Sequence, residues 1–262
     1  MSTVSQNQGN FRKDSRRKFI QKSGLFVAGA GVVGLSGMAI SCNDQKKTET
    51  AENEKEEEEK GEEQVSPNED LMREHGLLQR MLLIYDTALL RFNSKEEFDP
   101  SYINQTATIV HDFIEEYHEK LEEDFVFPRL EKANRLTELT STLRQQHING
   151  RAVTGKILNL TKNGRTLKGS DQQELIKLMQ SFNIMYRPHE AREDTILFPA
   201  FKEVVSRHEY DALGEDFEKK EREKFGEGGF DGMVDKVAEI EKQIGIYDLN
   251  QFTPHVEQHS SK

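Results

Sequence analysis

The chain has 262 residues and carries 36 Lys and Arg against 47 Asp and Glu, a formal net charge of −11. That balance argues against nucleic acid as a partner, because phosphate contacts need clustered Lys and Arg. Cys42 is the single cysteine, which excludes an intrachain disulfide framework and any cysteine-built zinc or iron–sulfur site within one chain. Metal ligands in the body of the chain must then be imidazoles and carboxylates, a set that suits iron, zinc or manganese.

Residues 1–41 read as an address. Ser15-Arg16-Arg17-Lys18-Phe19-Ile20 precedes a mildly apolar run from Gly24 to Ile40, rich in Gly, Ala and Val. The arrangement resembles a twin-arginine export signal. At about seventeen residues the run sits at the short edge of what spans a bilayer. Such export is similar to the route taken by proteins that fold around a cofactor first, which agrees with a metal site downstream. Ala39-Ile40-Ser41-Cys42 looks like a lipoprotein processing site with Cys42 as the lipidated residue; the alternative is simple cleavage nearby. The expected location is outside the cytoplasm, in the periplasm or cell envelope. Membrane contact is expected only through a lipid on Cys42 or an uncleaved signal. Residues 42–65 include Glu56-Glu57-Glu58-Glu59 and almost nothing apolar, so they read as a solvated, self-repelling tether.

The folded part opens at Ser66-Pro67-Asn68-Glu69, with Ser66 a candidate N-cap, Pro67 at the first helical position and Glu69 as capping-box partner. A helix to about Phe92 carries Leu71, Leu78, Leu82, Tyr85 and Leu89 at three- and four-residue spacing. Asp99-Pro100-Ser101 starts a second helix, from about 102 to 127. A third spans about 135–159 and ends near Asn163-Gly164. Ser170-Asp171 caps a fourth, which runs past His189 to about Ser206, with Pro188 expected to kink it. Amphipathic segments at 209–225 and 230–244 follow; Met233, Val237, Ile240 and Ile244 form the stripe of the second. The spacing predicts an all-α fold: an up-down four-helix bundle over 66–206, with additional C-terminal helices in a 207–262 extension.

One phrase occurs twice. His118-x-x-x-Glu122 leads to Phe127-Pro128, and His189-x-x-x-Glu193 leads to Phe198-Pro199, each 71 residues on. His75 and His147 repeat at an offset of 72. Residues four apart share one helix face, so each His-x-x-x-Glu can present an imidazole and a carboxylate to one point in the core. His75 and His147 add one imidazole from each remaining helix. Two carboxylates can bridge two cations, and six protein groups leave positions open for water or a small ligand.

These residues resemble the hemerythrin-like, or HHE cation-binding, family over roughly 67–205. The resemblance implies a non-haem di-iron centre with His75, His118, Glu122, His147, His189 and Glu193 as ligands and an oxo or hydroxo bridge; other divalent metals are chemically admissible. The family's oxygen carriers have a second histidine one turn from the third-helix ligand, where this chain has Leu143 and Arg151. That departure points away from oxygen transport. It points toward branches that sense oxygen or iron, or handle nitric oxide and repair iron–sulfur clusters. Asp194 fits the carriers' His-x-x-x-x-Asp spacing and is the leading substitute for Glu193. Glu123 and Asp194 otherwise face outward or support the ligands. Glu115-x-x-His118 matches a ferritin-type motif once only. His111, two turns before His118 on the same helix face, reads first as a core histidine, with proton relay or extra ligand as alternatives. Tyr117 and Tyr186 read as packing residues, and His208, His255 and His259 carry no assigned role.

The function expected from the sequence is an exported di-iron protein that binds or senses a small diatomic, oxygen or nitric oxide. The alternative is a di-iron enzyme reducing nitric oxide or peroxide, or an iron-handling or cluster-repair protein. Simple metal storage ranks last. Electrons would come from an external donor, since no flavin, haem or cysteine motif is present. The sequence does not decide between binding and catalysis.

Overall fold

The computed structural model describes residues 65–164 and 167–254. The export-signal motif, the Cys42 processing site, nearly all of the acidic tether, His255 and His259 lie outside the described residues.

The Ser66 hydroxyl accepts from the Glu69 amide, and Pro67 occupies a first-turn position where its missing N–H costs nothing. Helix α1 then runs Pro67–Asn93. Asp99 caps α2 (Pro100–Ile109), its carboxylate accepting from the Ser101 amide at 2.8 Å. The same rod continues through a π-helical stretch, Val110–His118, a short α3 (Glu119–Leu121), a second π stretch, Glu122–Val126, and α4 (Phe127–Lys132). The third rod is α5 (Thr137–Thr161). The fourth comprises α6 (Gly169–Arg192), a π stretch at Glu193–Leu197, and α7 (Phe198–Val204). Short connections make consecutive rods antiparallel. Helix α6 packs on α1 and α5, and α2 packs on the same two helices, which closes the ring of four. No strand occurs among the described residues, so the fold is the expected all-α bundle.

The π stretches after His118 and His189 stand at equivalent places in the two halves. Each precedes a Phe-Pro pair. Pro128 and Pro199 cannot donate to the carbonyl one turn back, so the ladder at this point is free to widen by a residue. The sequence placed the disturbance at Pro188 instead. There α6 stays helical through Arg192, and the departure from α geometry begins at Glu193. The carbonyl that Pro188 leaves without a donor belongs to Ile184, whose side chain is exposed, so solvent can satisfy it. Ser170 and Asp171 are not the fourth rod's cap. Gly169, at φ 60°, turns the chain into the helix and Lys168 takes the cap position without a side-chain bond.

Leu78, Leu82 and Tyr85 of α1, Phe113 of the second rod, Ile157 of α5 and Met179 and Phe182 of α6 fill the bundle interior. Antiparallel order places the beginnings of the first and third rods beside the ends of the second and fourth. His75 and His147 stand in the former, the two His-x-x-x-Glu phrases in the latter. One end of the bundle therefore collects all six side chains.

Helix α8 (Arg207–Phe225) is capped by Ser206 and buries Tyr210, Leu213 and Phe217. Helix α9 (Gly229–Ile244) buries Met233, Val237, Ile240 and Ile244 against α1 and α2, the stripe read from the sequence. Gly229, at φ 40°, starts it. A side chain there would meet Glu221, whose carboxylate accepts the Phe230 amide at 2.8 Å. No described helix is long and apolar enough to cross a membrane.

Candidate metal centre

The six side chains converge. His75, His118, His147 and His189 are each 3% exposed or less, and Glu122 and Glu193 are fully buried. The imidazoles form two pairs: His75 Nε2 lies 3.0 Å from His118 Nε2, and His147 Nε2 lies 3.2 Å from His189 Nε2. The carboxylates tie the pairs together. Glu122 reaches His118 with Oε1 at 3.6 Å and His147 with Oε2 at 3.5 Å. Glu193 Oε2 lies 3.4 Å from His75 and 3.1 Å from His189. Each carboxylate thus reaches both imidazole pairs.

The other ring nitrogens are held from outside. His75 Nδ1 donates to Asp194 at 2.7 Å, His118 Nδ1 to Glu74 at 2.8 Å, His147 Nδ1 to Glu123 at 3.1 Å, and His189 Nδ1 to the Gln146 side-chain oxygen at 2.8 Å. Carboxylate and amide oxygens accept, so each Nδ1 carries a proton and each Nε2 is the ring atom turned toward the centre. Nε2 atoms about 3 Å apart repel as neutral lone pairs, and either a proton on one ring or a cation between the rings relieves that repulsion. None of the four oxygens of Glu122 and Glu193 makes a hydrogen bond, although burying a carboxylate without compensation is costly. This donor set fits a pair of cations, and these six residues would hold them.

The supports repeat like the ligands. Glu74 and Gln146 precede His75 and His147, while Glu123 and Asp194 follow Glu122 and Glu193. The Phe-Pro phrase joins them: Phe127 stacks on His147 with centroids 5.6 Å apart, and Phe198 on His75 at 5.5 Å. Each half of the duplication therefore walls in a histidine of the other half.

Burial sets the electrostatics. It opposes charge on His75, yet the hydrogen bond to Asp194 and the charges of Asp194 and Glu193 push that imidazole up to about 10. Burial pulls His147 down to about 4 against the pull of Glu123. It also holds His118 well below its usual range, helped by the charge on His75. Burial and the neighbouring Glu193 hold Glu122 well above the carboxylate range. On Glu193 burial acts the same way, but His189 and His75 outweigh it and hold the group well below that range. The protein alone thus favours one anion of the two carboxylates, and cations would stabilise both.

A sequence profile of the hemerythrin HHE cation binding domain matches residues 66–201. The chain belongs to the hemerythrin HHE family. Its curated relatives include uncharacterised proteins of Mycobacterium tuberculosis and Mycobacterium bovis, each 43% identical over 230 residues, covering 88% of this chain and 88% of the relative. No solved structure matches.

Within this hemerythrin HHE domain the remaining candidates sort by contact. Asp194, the substitute considered for Glu193, holds His75 from behind while Glu193 faces the centre. Arg151, one turn after His147, spans two carboxylates: its Nη2 lies 2.7 Å from Glu119 and 2.8 Å from Glu123. The Tyr186 hydroxyl donates to Glu119 at 2.7 Å, and its ring packs 5.4 Å from His189. Tyr117 turns away and donates to the Phe217 carbonyl at 3.3 Å. His111 is exposed and pairs with Glu115 at 3.3 Å, not buried as a core histidine. The π stretch explains this. Each residue there advances by less than an α-helical step, so seven residues fall short of two turns and carry His111 off the His118 face. Glu115 is buried and joins none of the clusters of metal-capable groups among the described residues. His208 is exposed. Sequence reasoning missed Glu74 and Gln146; their positions immediately before the two paired histidines were the available signal.

Proposed function

We propose that the protein is an exported, non-haem di-iron member of the hemerythrin HHE family that binds or senses a small diatomic, oxygen or nitric oxide. One observation carries the dinuclear reading: two imidazole pairs, each with its Nε2 atoms about 3 Å apart, share two buried carboxylates whose oxygens have no hydrogen-bond donor. Iron suits a ligand set of imidazole and carboxylate without thiolate. Two iron ions bound there would supply reversible one-electron chemistry and open coordination positions. Burial supports a small ligand. Phe127, Phe198 and Tyr186 wall the site, and each is 1% exposed or less, so a bulky substrate has little room. The twin-arginine motif supports export, to the periplasm or cell envelope, with Cys42 as the site of a lipid anchor.

A second reading is an enzyme that reduces nitric oxide or peroxide with electrons from an external donor. The Tyr186–Glu119–Arg151 network favours it, since it sets a buried phenol and carboxyl group beside His189 and Glu123. Reduced, iron-loaded protein mixed anaerobically with oxygen or nitric oxide separates the two. A stable charge-transfer band supports binding, whereas rapid return to the ferric form with consumption of the gas supports catalysis. Absence of any spectral change with either gas would overturn both.

A further inference from the structure

The duplication is close but not perfect, and its imperfections fall on the residues that support the histidines. His75 and His118 both hand their Nδ1 protons to carboxylates, Asp194 and Glu74. Glu74 also lies in a buried group with Asp70 and Glu221, whose ligand-capable atoms are within 4.8 Å of one another. Both rings of that pair are therefore held by carboxyl oxygens. In the other pair, His189 hands its proton to the neutral amide of Gln146. His147 has Glu123, but this carboxylate is shared with Lys120 at 2.7 Å and Arg151 at 2.8 Å. Two cations thus draw on the one carboxylate that holds His147, and Glu119, within 4.8 Å of Glu123 and His147, is itself paired with Arg151. Because a carboxylate behind Nδ1 raises the basicity of Nε2, and its loss costs about 10–100-fold in metal affinity, the two imidazole pairs are unequal ligands despite matching geometry.

We propose that the centre is ranked: the His75–His118 pair takes its cation first and tightly, and the His147–His189 pair is the weaker position, which fills and empties over a range where the first stays occupied. This inference rests on the dinuclear reading given above and adds the order of loading. The difference of a single atom type between Glu74 and Gln146 controls it, so exchanging those two groups should reverse or erase the order.

The test is a titration of the metal-free full-length protein with Co(II) under argon, in competition with a chromophoric chelator. Two cations sharing two carboxylates repel, so two waves in the wild type are required but do not by themselves assign the order. The variants do. Glu74→Gln should weaken the first wave by about 10–100-fold and leave the second in place. Gln146→Glu should tighten the second wave by a similar factor and leave the first in place. At one equivalent of Co(II), paramagnetically shifted exchangeable N–H proton resonances should belong to His75 and His118. A single unresolved wave in the wild type would overturn the ranking. So would Glu74→Gln acting on the second wave, or Gln146→Glu leaving both waves unmoved. Uptake of fewer than two equivalents by the wild type would overturn the dinuclear reading along with it.

Discussion

Phe198 lies nearly flat against His75, with ring centroids 5.5 Å apart and planes inclined by 20°. The two residues come from opposite ends of the bundle sequence, and Phe127 repeats the relationship with His147 at 5.6 Å and 23°. Each ring is fully buried, so it both fills the core and fixes the orientation of an imidazole. Phe198→Ala should cost about 3–5 kcal/mol in chemical denaturation, as large-to-small core changes do. It should also weaken metal retention, whereas Phe198→Leu should keep most of the stability. A loss below about 1 kcal/mol in Phe198→Ala would show that the stack is not a structural wall.

Gly150 faces the Tyr186 phenol so closely that an added Cβ would sit 2.9 Å from its Cζ and nearer still to the hydroxyl. Gly150→Ala should destabilise the protein by about 1–3 kcal/mol through overpacking and displace the phenol from Glu119. Combining it with Tyr186→Phe removes the closest atom. A double-mutant cycle should then show a coupling of at least about 0.5 kcal/mol; strictly additive effects would contradict the contact.

Arg151 is the cation nearest the buried Glu119, at 2.7 Å. Burial already holds that carboxyl group well above its usual range, and Arg151 acts against the rise. Arg151→Met keeps the apolar stem but removes the charge, and should cost about 1–3 kcal/mol at pH 8. The sign with pH follows. A carboxyl group with a raised pKa in the folded state binds more protons folded than unfolded, so its penalty grows as pH rises and fades in acid. The stability deficit of Arg151→Met should therefore shrink between pH 8 and pH 5. A deficit constant over that range would contradict the assignment.

Metal uptake should be linked to a proton on His75. In the metal-free protein Asp194 and Glu193 outweigh burial and push this imidazole up to about 10, so near neutrality it carries a proton that a cation must expel. Affinity should rise with pH, by about tenfold per unit for each proton displaced. Titrations in two buffers of different ionisation enthalpy should report release of at least one proton per protein. An affinity that does not change between pH 7 and pH 9 would contradict the linkage.

The bundle and the six converging side chains were legible because both rest on short periodicities. A histidine and a glutamate four apart share a helix face, and antiparallel order brings both copies of the phrase to one end. Glu74 and Gln146 were harder to read. Each supports a histidine more than forty residues away, on a neighbouring helix, and such a pairing has meaning only once the rods face one another. His111 misled because its spacing from His118 assumes regular α geometry, whereas π turns rotate the chain between them. Proline content alone did not locate those irregularities. Pro188 is carried inside α6, while Pro128 and Pro199 follow the π stretches beside Glu122 and Glu193. What distinguishes the latter two is their shared place in a duplicated phrase.

Metal content of the purified, folded protein tests the centre most directly. Wild type and His208→Ala, whose altered residue is exposed, should each hold two ions per chain after anaerobic loading with Fe(II), and His118→Ala and Glu193→Ala should lose that uptake while keeping their helical content. Equal metal content in all four proteins, or none in the wild type, would contradict a centre built from these side chains.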